Sequence, residues 1–221
     1  MRRDDGFSLV ELLVVLGLIG VMLGGIGLAR RDGDRGAALQ AGQAQVLALM
    51  RRARAEAISR QAWVRILIPS VQSSSGEFEP ETYLQCLQIA VRDEGEVEAW
   101  RTDEIPISLP AGVFVVPPAV PASQVTSGLV WPSGDTAPVS VVGTASELPM
   151  LGGAGRFACY YLEFSPDGTV SPVAARLVIG TARQTHGLPP QFDNPRATRG
   201  VGARAMGGIE LLPPFAGIGS E

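Results

Sequence analysis

The chain has 221 residues, of which 46% are hydrophobic, and a formal net charge of −4 at neutral pH. Its one histidine, His186, has no nucleophile motif nearby, so a histidine-based catalytic triad has no visible members. The 17 prolines all lie at or after Pro69. These features predict a helical, proline-free N-terminal part followed by one turn-rich domain that is long enough to have its own core.

An apolar run begins near the N-terminus. Between Phe7 and Ala29 only Ser8 and Glu11 interrupt it. At about 1.5 Å per residue such a helix is roughly 34 Å long, which is enough to cross the hydrocarbon of a bilayer. The run therefore predicts a transmembrane helix over residues 7–29, and no later apolar stretch is long enough for a second one. An acid inside a membrane is costly, so Glu11 is a functional candidate that needs a cationic partner.

The junction around this acid reads GFSLVEL from Gly6 to Leu12. It resembles the leader junction of type IV pilins and type II secretion pseudopilins, in which a short charged leader ends in glycine and the fifth mature residue is glutamate. The resemblance implies that a prepilin peptidase removes residues 1–6, cutting between Gly6 and Phe7, and that the new amine of Phe7 is methylated. It also implies that Glu11 is the counter-charge for that amine on a neighbouring subunit during assembly.

The alternative is a plain signal anchor with a stray acid, or a cleaved secretory signal peptide. The run is longer than the usual 7 to 15 apolar residues of a signal peptide, and no small-residue cleavage site closes it. In the pilin-like reading the protein crosses the inner membrane once, with its N-terminus in the cytoplasm and its C-terminal domain in the periplasm. The implied partners are other pseudopilins or pilins, the prepilin peptidase and methylase, the inner-membrane assembly platform and membrane lipid.

Glycines recur along the predicted span at spacings of three, four and three residues. This spacing places them on one face of a helix, where small residues let neighbouring helices approach closely. Glycine is also common in membrane helices in general, so the stripe is an equally good sign of membrane location alone. The candidate helix-packing residues are Gly17, Gly20, Gly24 and Gly27.

Residues 30–61 are predicted to extend the N-terminal helix, with a possible break at residues 32–36, where two glycines alternate with charges. A stripe of Val46, Met50, Ala53 and Ala57 has helical spacing and predicts a core-facing side. The segment 49–58 and the following strand 63–68 resemble the helix-to-strand junction of H-type minor pseudopilins and of the related FimT pilin-like proteins.

Residues 62–221 read as a β-rich domain, so the fold class is α+β with an antiparallel sheet or sandwich. The turn Pro166-Asp167-Gly168 is predicted to join strand 157–164 to strand 174–179 as a hairpin. Residues 117–155 are expected to contain a long loop. Besides 63–68, the candidate strands are 83–92, 97–101, 105–109, 113–116, 138–142, 157–164, 174–179 and 208–212.

Two cysteines, Cys86 and Cys159, lie in predicted strands of the exported domain. An oxidising periplasm permits a disulfide between them, which in the chain-entropy model contributes about 4 kcal/mol. Two unpaired, buried cysteines acting as small apolar residues are the alternative. The sequence leaves both possibilities open, because a disulfide requires Cα atoms within about 7 Å and the sequence does not give that distance.

No hydrolase, zinc, nucleotide-binding or calcium motif is present, so we expect no catalytic residue, metal site or cofactor. An arginine cluster near the C-terminus supports a second hypothesis, that of a FimT-like minor pilin of a type IV pilus acting in DNA uptake or pilus assembly. Arginines can follow a phosphate backbone, although solvated arginines in a loop are the simpler interpretation. The candidate DNA-binding residues are Arg196, Arg199 and Arg204.

Overall fold

The computed structural model describes residues 9–70, 83–92, 100–102, 105–133, 137–149, 156–185 and 188–212, apart from the side chains of 9–11, 17–34, 145–149 and 156–157. The chain divides into two compact units, residues 1–37 and residues 38–221. The first unit contains the N-terminal part of a helix. The second contains the rest of that helix and two antiparallel sheets, so the predicted α+β class is confirmed.

Helix α1 runs from Leu9 to Arg60, over 52 residues. It passes through residues 32–36 without interruption, so the predicted break does not appear as a gap in the helix. Each glycine there costs only about 1 kcal/mol relative to alanine, which a long helix tolerates. In the part of the chain that the structure describes, none of the helices has the length and hydropathy of a membrane span.

In the second unit, α1 buries one face against the sheets. The predicted stripe of Val46, Met50, Ala53 and Ala57 is fully or almost fully buried, which confirms the prediction. The helix ends where Gln61 adopts a positive φ of 51°. The backbone N–H of Ala62 then donates to the carbonyl of Ala57 at 3.1 Å, which caps the last turn.

Eleven strands lie within the described residues, and we number them in chain order. They are β1 (Trp63–Pro69), β2 (Cys86–Arg92), β3 (Ile107–Ser108), β4 (Val113–Val115), β5 (Gly143–Pro149), β6 (Arg156–Phe164), β7 (Val170–Ser171), β8 (Arg176–Arg183), β9 (Gln191–Phe192), β10 (Thr198–Ala203) and β11 (Ile209–Leu212). A short 3₁₀ helix occupies Ala122–Gln124.

The six-stranded sheet has the order β3-β2-β1-β6-β5, and β7 pairs with one end of β6. Its strands pair antiparallel, with Val64 of β1 opposite Phe164 of β6 and Ile66 opposite Leu162. These four side chains are fully buried. They form one face of the sheet and belong to the main core.

The five-stranded sheet has the order β11-β10-β8-β4, and β9 pairs with the end of β8. Strand β10 is therefore an inner strand, hydrogen-bonded on both edges, with Val201 opposite Leu177 of β8 and Leu211 of β11. One hydrophobic cluster joins α1 to both sheets, for example through Met50, Ile66 and Val178. The second unit is thus a single folded body with one main core.

Several predicted strands are confirmed with shifted ends. Strand β2 begins only at Cys86, because Leu84 has a φ of 56°, which an extended strand does not allow. Residues 97–99 lie outside the described residues, and Arg101 forms a single bridge with Val91. The predicted strand 138–142 is wrong except for an isolated bridge at Val141. A strand the sequence did not indicate, β5, lies within residues 117–155, where a long loop was expected.

The predicted hairpin is half right. The turn at Pro166-Asp167-Gly168 is present, and Gly168 N–H donates to the carbonyl of Ser165 at 2.8 Å. The strand after the turn is β7, which pairs with the end of β6. Strand β8, the expected partner, belongs to the other sheet, because the chain reverses again at Ala174, where φ is 58°.

Candidate functional site

The predicted processing residues lie at the very start of the chain. Gly6 and Phe7 are outside the described residues, so the cleavage and methylation site stays a prediction. Glu11 lies in α1, with its side chain outside the description, and its role as counter-charge also stays a prediction. The four stripe glycines, Gly17, Gly20, Gly24 and Gly27, all fall within the same continuous helix, so their spacing places them on one face of it.

The part of α1 in the second unit carries a buried amide. Gln43 is only 6% exposed, and its Nε2 donates to the carbonyl of Gly200 in β10 at 2.9 Å. Arg199 Nη1 donates in turn to Gln43 Oε1 at 3.4 Å. Both ends of the amide are therefore satisfied by one strand, as a buried polar group requires. This contact fixes the helix to the middle of the five-stranded sheet.

Gly42, the residue before this amide, permits the helix to lie close to the sheet. A Cβ at this position would lie 3.1 Å from Cδ1 of Ile179 and 3.2 Å from Cγ1 of Val113. Those distances are tighter than an ordinary van der Waals contact. A larger residue here would require the side chains of Ile179 and Val113 to shift by a few tenths of an ångström.

Arg54 makes the second polar contact between α1 and the sheets, three turns further along the helix. Its Nε donates to the carbonyl of Gly168 at 3.3 Å, and its Nη2 donates to the carbonyl of Met206 at 3.4 Å. Gly207 lies beside it with a φ of 76°, and a Cβ there would collide with the Gly168 carbonyl oxygen. The turn after β6 and the turn before β11 thus meet at one arginine.

The turn that Arg54 contacts is itself held by a carboxylate. Asp167 Oδ1 accepts hydrogen bonds from the hydroxyl of Ser165 and from the backbone N–H of Thr169, the latter at 3.0 Å. These bonds, the Ser165 hydroxyl first, lower the pKa of Asp167 below its ordinary value. The carboxylate therefore keeps the Gly168 carbonyl in a defined position beneath the arginine.

The three candidate DNA-binding arginines differ in exposure and in their contacts. Arg199 is half-buried and bonded to Gln43 of the helix. Arg204 is exposed and makes a two-bond ion pair with Glu210, at 2.7 and 3.2 Å, which raises its pKa further. Arg196 is exposed in the turn before β10. The expectation that these arginines occupy a loop is wrong for Arg199, because Thr198–Ala203 is strand β10.

The two cysteines lie on one face of the six-stranded sheet, on either side of β1. Cys159 of β6 is opposite Pro69 of β1, and Cys86 belongs to the strand on the other side of β1, two residues before Gln88, which pairs with Leu67. Strands lie about 4.8 Å apart, so two strand spacings exceed the roughly 7 Å that a disulfide spans. The structure contains no bond between them, and the possible disulfide is not formed here.

Burial keeps both thiols protonated. It raises the pKa of Cys86 to about 11 and that of Cys159 to about 12, where the neighbouring Cys86 adds to the effect. In this structure both thiols are therefore buried, neutral groups within the small cluster on this face of the sheet.

Sequence reasoning missed an arginine-aromatic stack on the same face of this sheet. Arg65 lies between two rings, 4.1 Å from the centroid of Trp100 and 4.2 Å from that of Tyr161. Its Nε also donates to Glu163 at 2.6 Å. Arg92 lies over the other side of the group, 5.0 Å from the Trp100 centroid. Trp100 of the stack packs on this face with the buried side chains of Leu67, Cys86, Ala90 and Cys159.

The described residues contain no group of three or more histidines, cysteines or carboxylates able to hold a metal ion. His186 lies outside the described residues.

Comparison with known protein families gives a match at the N-terminal end of the chain. Residues 1–27 match the family described as the prokaryotic N-terminal methylation motif. The N-terminal part of the chain therefore carries this motif. The matched residues include Gly6, Phe7 and Glu11, the same junction on which the sequence resemblance depends. A comparison with curated proteins finds no match.

Two solved proteins are similar to this chain over most of its length. One is the type IV minor pilin FimU of Pseudomonas aeruginosa, with 14% identity over 86% of this chain and 95% of FimU, at a TM-score of 0.40. The other is the minor pseudopilin EpsH of the type 2 secretion system of Vibrio cholerae, with 13% identity over 82% of this chain and 99% of EpsH, at a TM-score of 0.42. Both TM-scores are below 0.5.

One of the two polar contacts of α1, that of Gln43, had a signal in the sequence. Leu39, Gln43, Val46, Met50, Ala53 and Ala57 alternate at spacings of four and three. Gln43 is thus a polar residue in the middle of an apolar stripe, which is the pattern expected of a buried amide with a specific partner. Arg54 had no such signal, because it stands beside Arg51 and Arg52, which are exposed.

Proposed function

We propose that this protein is a minor pseudopilin, a structural subunit of the type II secretion pseudopilus that is involved in protein export. The observation that carries the proposal is the methylation motif at residues 1–27, in which Glu11 is the fifth residue after Gly6. In this role the protein catalyses nothing. It works by packing and polymerisation, and the prepilin peptidase and the methylase act on it.

The N-terminus acts through charge. Hydrolysis of the peptide bond between Gly6 and Phe7 by a prepilin peptidase releases the leader and leaves an ammonium group on Phe7, which is then methylated. An ammonium group and a carboxylate in lipid are both costly alone, and each offsets much of the other's cost when they pair. Glu11 pairs with the amine of an adjacent subunit, and this sets the position at which a new subunit joins the filament.

The remainder of the apolar run holds the subunit until it is assembled. In this proposal the apolar run of residues 7–29, roughly 34 Å long as a helix, crosses the inner membrane once in contact with lipid, and the glycine stripe offers a face for neighbouring helices. The N-terminus then lies in the cytoplasm and residues 62–221 in the periplasm. The partners are other pseudopilins, the peptidase and methylase, and the membrane assembly platform.

The helix-to-strand junction, residues 49–58 and 63–68, resembles that of H-type minor pseudopilins and that of FimT pilin-like proteins alike, so the choice of the secretion system rests on the C-terminal arginines. DNA uptake would require arginines that are accessible as a group. Arg199 is bonded to Gln43 of the helix and Arg204 to Glu210, which leaves Arg196 as the exposed arginine of the three without such a contact among the described residues. The charge arrangement therefore favours a packing role over a phosphate-binding one.

The test is the mass of the intact protein, purified from cells that contain the processing peptidase. We expect the mass to show loss of residues 1–6 and the addition of one methyl group. The variant Gly6→Ala should keep the leader. The variant Glu11→Ala should be cleaved normally and fail to enter the filament. A wild-type chain that keeps its first six residues would show that the apolar run is a plain anchor.

A further inference from the structure

We propose that Gln43 and Arg54 form a two-point attachment that fixes the position of α1 along the five-stranded sheet, so that a pull on the helix is passed to the β domain without sliding. The inference rests on the proposed function, in which the N-terminal helix holds the subunit in the membrane until the subunit joins the filament, so that joining the filament pulls on the helix. It concerns only contacts within residues 38–221.

The first attachment point is a buried amide whose hydrogen bonds can form at only one position of α1 along β10. Gln43 donates to the Gly200 carbonyl at 2.9 Å and accepts from Arg199 at 3.4 Å, and both partners belong to β10. Gly42 holds the helix close to Ile179 and Val113 at the same level. A shift of the helix by one turn, about 5.4 Å, would bury an unpaired amide and place a larger residue at the closest approach.

The second point lies eleven residues further along α1, about 16 Å along the helix axis. Arg54 donates to two carbonyls from different turns, Gly168 at 3.3 Å and Met206 at 3.4 Å. Those turns are joined to β6 and β11, so the arginine connects the helix to both sheets. Charge-assisted hydrogen bonds are stronger than neutral ones, and two carbonyls in fixed positions define the direction of the guanidinium.

The contacts between the two points are apolar and carry little directional information. Val46, Leu49, Met50 and Ala53 are buried, and aliphatic packing alone tolerates small axial shifts better than hydrogen bonds do. The polar contacts at the two ends therefore determine where the helix lies on the sheet. A single attachment would permit rotation about it, whereas two attachments three turns apart oppose both rotation and sliding.

The test uses native-state hydrogen exchange on the full chain in detergent, with two variants and two matched controls. Gln43→Met removes the first attachment and keeps the side-chain length, and Arg54→Met removes the second and keeps an unbranched apolar stem. Gln45→Met and Arg51→Met make the same changes at exposed positions of the same helix. We expect amides of residues 44–53 to exchange about tenfold faster in each attachment variant, with amides of β1 and β6 unchanged.

Two results would overturn the proposal. One is exchange that rises equally in α1, β1 and β6, which would show that the contacts support the whole fold and do not fix the helix. The other is exchange in both attachment variants that matches the controls.

The second measurement is incorporation into the filament. It is made in cells in which the intact mass of the wild-type subunit shows that the leader has been removed. We expect both attachment variants to be cleaved normally and incorporated several-fold less than the controls. Normal incorporation despite faster hydrogen exchange in the helix would overturn the proposal that the attachment passes a pull on the helix to the β domain. An uncleaved wild-type subunit would instead contradict the proposed function, and the exchange result would still decide whether the attachment exists.

Discussion

The two sheets of the second unit are built from different kinds of residue. The six-stranded sheet has large side chains on both faces, with Ile66 and Phe164 in the main core and the Arg65 stack on the other face. In the five-stranded sheet, the inner strand β10 reads Thr-Arg-Gly-Val-Gly-Ala, and two of its six residues are glycines. Leu212 of the edge strand packs against both glycines.

This difference separates two ways of holding a sheet. The six-stranded sheet is stabilised by burial of its own large side chains, at about 25 cal/mol per Å² of apolar surface. In the five-stranded sheet, β10 has less apolar surface, and it gains specific contacts from Gln43 of the helix and from Leu212 of the neighbouring strand β11. The first two predictions below compare a residue of the six-stranded sheet with a residue in or next to β10. The third concerns the six-stranded sheet alone.

The largest expected effect is truncation in the core of the six-stranded sheet. Phe164 is fully buried and lies opposite both Val64 and Val170. Phe164→Ala should lower the free energy of unfolding by about 3–5 kcal/mol, because a large cavity remains. Val201→Ala, at a fully buried position of β10, should cost only about 2 kcal/mol. Urea unfolding of the full chain in detergent measures both.

Equal losses in the two variants would contradict the comparison, since they would mean that β10 contributes as much apolar stabilisation as β6. The exposed Val173, with 74% of its surface accessible, supplies the control. Val173→Ala should leave the unfolding midpoint unchanged.

The same contrast explains how far the sequence could predict the fold. Strands β1, β2 and β6 were predictable because their residues are mostly large, apolar or β-branched, as strand interiors prefer. Strand β10 could not be recognised, because glycine, threonine and arginine beside Pro195 also fit a loop. Its extended conformation comes from hydrogen bonds to β8 and β11, which are distant in sequence and leave no local pattern.

The candidate site divides in a similar way. The chemistry at Gly6, Phe7 and Glu11 is readable because a charge in an apolar run and a cleavage junction are local features. The contacts of Arg54 are not, because its partners, the carbonyls of Gly168 and Met206, lie more than a hundred residues away. Backbone acceptors carry no side-chain identity, so no residue pattern could have indicated them.

A smaller effect is expected on the other face of the six-stranded sheet. The side chains of Arg65 and Glu163 are only 17% and 13% exposed. Arg65→Met should lower the free energy of unfolding by about 2 kcal/mol, because Glu163 loses its cation and the two rings lose the guanidinium between them. Arg204→Met breaks an exposed ion pair next to β10 and should cause no measurable change.

Thermal unfolding of both variants at low and high salt measures this difference. The loss in Arg65→Met should persist at 1 M salt, where a surface pair is screened. A loss that disappears at high salt would show that the stack contributes no more than an ordinary surface ion pair.

The smallest expected effect is the pH dependence that the buried thiols impose on the six-stranded sheet. Burial raises the pKa of Cys86 from 9.0 to about 11, so the folded protein keeps a neutral thiol where the unfolded chain ionises. Stability from this group is complete below pH 9 and is lost as the pH rises from 9 towards 11. Between pH 9 and pH 10 the loss is about 1 kcal/mol for one thiol.

Cys86→Ala should remove that part of the pH dependence, while Tyr160, whose pKa is also raised, contributes equally to both proteins. Urea unfolding at pH 8, 9 and 10 gives the difference. An identical pH dependence in the two proteins would mean that the Cys86 thiolate is solvated in the folded state, and the face of the sheet that carries the stack would then be open to water at this position.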